Sequence, residues 1–186
     1  LLLVLAPLSG CLQEDEPEPG FSWQDREEID CDMSENENLD CQAYLDGFNT
    51  PVLSIKHPLV EEIWIVDLYG NITSWNGENL RQVANLSGAI STCHNEQGMF
   101  GIAFDDNFEQ TGVVLLSYIQ IVEPCDDPAG PLTLAEAKVV EGVIDTDSLK
   151  VLLQVEEPYR NHNGGHILGI GENQYLWGVG DGGSSK

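Results

Sequence analysis

The sequence predicts an all-β protein, and three observations carry the prediction. Short apolar runs rich in β-branched residues recur from residue 62 to residue 179. Gly, Asn and Asp clusters separate them, as turns between strands require. Helical periodicity is almost absent, so the pattern points to a β-sandwich, barrel or propeller.

Taken in order, residues 62–68 (EIWIVDL) form the first strong run, and Tyr69-Gly70-Asn71 makes a turn into residues 72–75. Residues 80–86 read as a weaker strand and 99–104 (MFGIAF) as a strong one. A polar loop is expected at 105–112, with the return strand at 113–121 (VVLLSYIQI). Residues 132–140 fit a short helix through Ala and Glu, or a strand through Val139-Val140. Residues 150–155 are a strand that leads into a Pro158-Tyr159-Arg160-Asn161-His162 corner. Apolar–turn–apolar units recur at 62–75, 99–121 and 166–179, unevenly spaced, which is weak evidence for repeats. Because the chain stops just after a strand, the expectation is of an incomplete domain. A propeller of four-stranded blades would not close with this many strands.

The first ten residues, LLLVLAPLSG, match the apolar core of a secretion signal and are too short to span a bilayer. Leu8-Ser9-Gly10-Cys11 resembles a bacterial lipobox, which would make Cys11 a lipid anchor rather than an ordinary cysteine. The reading is therefore an exported protein, either membrane-anchored through lipid or periplasmic or extracellular. Residues 1–11 form the leader, 12–50 an acidic linker, and 51–186 the β domain. With Cys11 set aside, Cys31, Cys41, Cys93 and Cys125 remain, an even number that suits two disulfides in an exported chain. Cys31 with Cys41 and Cys93 with Cys125 is the most local of the three pairings.

Charge narrows the partners. Seven Lys and Arg against 32 Asp and Glu give a net charge of −25, which repels nucleic acids and anionic membranes. The acids are scattered, so a solvated acidic surface is the simpler reading than a cation site.

The chemistry gathers in residues 160–183, RNHNGGHILGIGENQYLWGVGDGG. Two apolar runs flank Gly171-Glu172-Asn173-Gln174, the signature of a β-hairpin. With Glu172 and Asn173 as the loop, His162 faces Gly183 and Gly164 faces Asp181. His162 and Asp181 then share one face as diagonal neighbours about 7–8 Å apart. A one-residue slip would separate them. His162 and His166 form an H-x-x-x-H pattern, but Gly164-Gly165 argues against a helix, and an extended strand puts the two about 13 Å apart. A shared zinc ion is therefore disfavoured. A histidine beside a carboxylate fits a general base, or equally a loop residue bonded to neighbouring carbonyls.

The 160–183 segment resembles the core motif of the glucose/sorbosone dehydrogenase family, soluble quinoproteins that use pyrroloquinoline quinone (PQQ). Residues 96–108 (EQGMFGIAFDDNF) resemble that family's earlier motif, and residues 61–75 (EEIWIVDLYGNITSW) its first-blade hairpin. The resemblance covers roughly residues 50–186. It implies the N-terminal part of a six-bladed β-propeller that oxidises aldose sugars at C1, with hydride passing to PQQ and with calcium bound. By position, His162 matches the general base and Asp181 the carboxylate that orients it. Gln97 and Asn161 match positions beside the sugar, and Asn161 resembles the broader aldose enzymes rather than the glucose-specific ones, which carry an acid there. The family's quinone-binding and calcium-binding residues lie mostly in later blades. Non-enzymatic relatives such as hedgehog-interacting proteins share the fold and motifs, so a propeller that binds a protein or carbohydrate partner is the alternative.

Overall fold

The computed structural model describes residues 45, 47–122 and 130–183. The expected leader with Cys11, most of the expected linker, Cys31, Cys41 and Cys125 lie outside the described residues.

Among the described residues ten strands make three antiparallel sheets in chain order. The first holds β1 (Pro51–Lys56), β2 (Ile63–Asp67), β3 (Asn71–Trp75) and β4 (Leu80–Asn85). The second holds β5 (Met99–Phe104), β6 (Val113–Ile119), β7 (Leu132–Val140) and β8 (Val143–Val155). The third is the hairpin of β9 (Gly164–Gly171) and β10 (Gln174–Val179). Each strand pairs with the next, so each four-stranded sheet is a simple meander. The sheets are stacked like blades: β1 lies against β5 and β5 against β9, while β4 lies against β8. First strands thus gather at one edge and fourth strands at the other, the radial arrangement of a β-propeller.

Side-chain alternation explains why the middle sheet is apolar on both faces. Ile102, Val114, Leu116 and Tyr118 join Trp64, Val66, Ile72 and Val83 in the core against the first sheet. Their strand neighbours Ala103, Leu115 and Ile119 join Ile167 and Trp177 in a second core against the third. A period of two sends successive residues to opposite faces. A strand buried on both faces therefore reads as the near-continuous runs MFGIAF and VVLLSYI. The last hairpin is covered on one face only: Ile167 is buried, while Leu168 and Ile170 are about half exposed.

Several sequence expectations are refined. Residues 132–140 are a strand, because β6 pairs with them residue by residue from Val113↔Lys138 to Ile119↔Leu132, and that pairing outweighs the helix preference of Ala and Glu. The 105–112 loop contains a one-turn helix, α1 (Phe108–Thr111), whose buried Phe108 anchors it. Asp105 and Asp106 serve this loop: Asp105 accepts from Asn107 N and Thr111 Oγ1, and Asp106 from Asn173 N. The last strand of the second sheet begins at Val143 rather than near 150, and residues 51–56 add the strand β1. Trp64 and Trp177 are core residues, and Trp177 Nε1 donates to Ser117 Oγ at 2.9 Å.

Candidate active site

The site forms where the chain passes from β8 to β9, residues 156–163, and where β10 runs out at 180–183. The turn between β9 and β10 is Glu172-Asn173 as expected. Both residues have positive φ, 55° and 57°, as a type I′ turn demands. Gly171 pairs with Gln174. Beyond that point the register shifts once between Gln174 and Tyr175, and again between Trp177 and Val179, so Gly164 faces Val179 and not Asp181. One slip would send the two side chains to opposite faces; two restore the parity. Extended outward, this register sets His162 opposite Asp181 instead of diagonal to it. Gly180 N donates to Asn163 O at 2.9 Å along the same line. Gly180 also packs so closely on the His162 carbonyl that a Cβ would not fit.

The result is a His–Asp pair, with His162 Nδ1 3.0 Å from Asp181 Oδ1. Asp181 is held below its usual carboxylate range, first by the backbone N–H of Gly183 at 3.0 Å and next by the His162 bond. An ionised carboxylate can only accept, so His162 Nδ1 carries the hydrogen, and in the neutral ring it is Nε2 that keeps a lone pair. The imidazole is 41% exposed, open to a ligand.

The loop before β5 holds this corner from the neighbouring sheet. Glu96 Oε2 accepts the backbone N–H of His162 at 2.8 Å, and the Glu96 carbonyl accepts Asn163 Nδ2 at 2.5 Å. His162 adopts φ 60°, left-handed backbone that a non-glycine residue keeps only when its surroundings hold it. Arg160 Nη1 lies 3.4 Å from His94 Nδ1 at the rim.

The two residues expected beside a sugar are placed differently from each other. Asn161 is partly exposed on the corner. Gln97 is buried, its Oε1 accepting from Ser91 Oγ at 2.8 Å. Its Nε2 has no partner among the described residues, nor do Asn163 Oδ1 and Glu157 Oε1. Glu157 is 3% exposed. Burial, and then the charge of Asp181, push its carboxyl up to about 7. His166 is exposed on β9. Among the described residues no group of three or more His, Cys, Asp or Glu is placed to hold a metal ion.

No protein-family model matches the chain. Solved structures do. The soluble aldose sugar dehydrogenase of Escherichia coli, in its apo form, matches with a TM-score of 0.60 at 19% identity, over 72% of this chain and 38% of that one. The PQQ-bound aldose sugar dehydrogenase of Streptomyces coelicolor matches with a TM-score of 0.57 at 17% identity, over 74% and 40%. A further glucose dehydrogenase matches at 0.57 and 14% identity, over 72% and 40%. The chain shares their fold. It spans about two-fifths of the length of these dehydrogenases, and its two complete blades and one hairpin are part of a propeller-type architecture.

Sequence reasoning missed Glu96 and Asn163 as the clamp on the corner, and it missed Glu157. Glu96 and His162 are 66 residues apart, and no local pattern couples them. Glu157 follows a strand and precedes a proline, where a carboxylate ordinarily reads as solvated.

Proposed function

We propose that this chain is part of an exported sugar oxidoreductase that oxidises aldoses at C1 with PQQ as hydride acceptor. The observation that carries the reading is the His162–Asp181 bond, 3.0 Å long, at an open corner of a fold shared with aldose sugar dehydrogenases. His162 is the general base. Its Nε2 takes the proton of the C1 hydroxyl, and Asp181 holds the imidazole in the required tautomer and stabilises the imidazolium that results. Asn161 meets a sugar hydroxyl at the rim. Gln97, buried and with no partner for Nε2 among the described residues, holds the sugar-side wall. The bound quinone supplies the hydride acceptor. The corner suits the sugar side of this chemistry. For an anionic quinone it offers, among the described residues, one cation, Arg160, beside the carboxyl groups of Glu96, Glu157 and Asp181, so the quinone's countercharges, and calcium, belong to residues beyond this corner. Export, with Cys11 as a lipid anchor, belongs to the same proposal and rests on the leader sequence.

The test is reconstitution of the full-length protein with PQQ and calcium, followed by aldose-dependent dye reduction. Turnover with several aldoses, lost in His162→Ala, is expected. Absence of turnover in the quinone-loaded protein would overturn the reading and favour a propeller that binds a partner.

A further inference from the structure

Among the described residues Asp67 and Glu157 are buried acids that this chemistry does not use; Asp67 is bonded to Asn71, whereas Glu157 Oε1 has no partner. We propose that Glu157 is a positioning residue for His162, acting through Asp181: its carboxyl supports the 181–183 turn from beneath, and its charge state sets how tightly the imidazole holds a proton. The proposal deepens the reading of His162 as base, but the electrostatic coupling does not depend on that reading.

Geometry carries the argument. Glu157 is 3% exposed, and Oε1 has no partner among the described residues. Its Oε2 packs on Gly182, where a Cβ would stand 3.2 Å from that oxygen and 3.1 Å from Pro158 Cδ. Gly182 also has φ +73°, so glycine is required there twice, by backbone and by space. The carboxyl therefore lies directly under the residue that follows Asp181. A buried carboxylate without a partner is costly to ionise, and a second negative charge nearby makes it more so. The other charged or titratable groups at the corner are His162 itself, Glu156 and Tyr159 on the same segment, Glu96 on the His162 backbone, and the Arg160–His94 pair. None of them is an ion-pair partner of Glu157. The neutral acid therefore leaves Asp181 as the carboxylate bonded to the imidazole ring, with Glu96 on the backbone N–H of the same residue. When Glu157 ionises, a further anion nearby favours imidazolium.

The experiment is carbon-13 NMR of the full-length protein, labelled at glutamate carboxyl and histidine ring carbons and titrated from about pH 5 to about pH 9 without sugar or quinone. The Glu157 carboxyl should titrate near 7 in the wild type, and its midpoint should fall in Asp181→Asn. In Glu157→Gln the His162 midpoint should fall by about half a unit, the size expected of one charge several ångströms away at high effective dielectric. An unmoved Glu157 midpoint in Asp181→Asn, or an unchanged His162 curve in Glu157→Gln, would overturn the proposal and leave Glu157 a packing residue. If Glu157→Gln fails to fold, the Asp181→Asn arm decides alone. Coupled titrations in a protein that oxidises no sugar would refute the enzymatic reading while leaving this coupling in place.

Discussion

At His162 ordinary neighbours fix both the ring and the backbone. One ring nitrogen is committed to Asp181, the backbone is pinned by Glu96, and the side chain is 41% exposed. Replacing His162 with Ala should lower kcat of the quinone-loaded enzyme by about 10²–10⁴-fold, the usual range for a lost general base, with quinone binding retained. Asp181→Asn should cost less, because the base remains but its tautomer and orientation are no longer enforced. Near-normal turnover in His162→Ala, measured at saturating sugar, would remove the catalytic assignment. His57 shows the opposite environment. Its ring packs among Trp64, Phe104 and Phe108, and Nδ1 accepts the backbone N–H groups of Leu59 and Val60 at 3.2 and 3.3 Å. Burial lowers its pKa. It is a neutral structural histidine that staples the β1–β2 loop.

The β9–β10 hairpin is the element that sets the site, and its turn is the place to test it. Glu172 holds φ 55°, a conformation Asn tolerates better than Glu. Glu172→Asn should therefore stabilise the protein by about 0.5 kcal/mol, in the range seen when a turn residue is matched to its backbone. Urea unfolding of the two proteins would measure it, and an unchanged or lower midpoint would mean that the turn is not a stability determinant. Asn173 is the wrong residue to change, since its Oδ1 accepts from Asn107 Nδ2 and its N–H donates to Asp106. These bonds clasp the turn to the α1 loop of the middle sheet. A second element is the loop before β5. It is tied to the end of β6 by Ser91 N to Ile119 O and by Ile121 N to Ala89 O, at 2.8 and 2.9 Å. This loop carries Cys93, which is disulfide-bonded. Peptide mapping of the unreduced protein should recover Cys93 linked to Cys125. A Cys93 peptide linked to Cys31 or Cys41 would refute the pairing.

At the scale of the whole molecule, two buried titratable groups pull stability in opposite directions with pH. Glu157 has a folded pKa raised to about 7 from 4.5. Between those values the folded state holds a proton that the unfolded state has lost, so its contribution is complete below about 4.5 and is lost as pH rises through about 7. His57, lowered from 6.5, behaves in reverse: its contribution is complete above about 6.5 and fades as pH falls toward the folded pKa. The thermal midpoint of Glu157→Gln relative to wild type should therefore rise as pH is raised from about 5 to about 8. A difference that stays flat across that range would show that Glu157 is not neutral in the folded protein.

The all-β class, most strands and the Glu172-Asn173 turn were legible in the sequence, because strand alternation and turn chemistry are local and a sheet buried on both faces advertises itself as MFGIAF and VVLLSYI. His162 and Asp181 were legible as candidates too, through a motif and a turn rule. Their actual pairing was decided by the tertiary structure. Two register shifts, between Gln174 and Tyr175 and between Trp177 and Val179, cancel in parity and place the pair face to face, and the turn rule that fixes the loop does not specify them. The strand at 132–140 was settled in the same way, by its partners in β6 rather than by propensity. The Glu96 clamp and the burial of Glu157 belong wholly to the folded molecule, since both arise where segments remote in sequence meet, and a carboxylate's environment is set by what covers it.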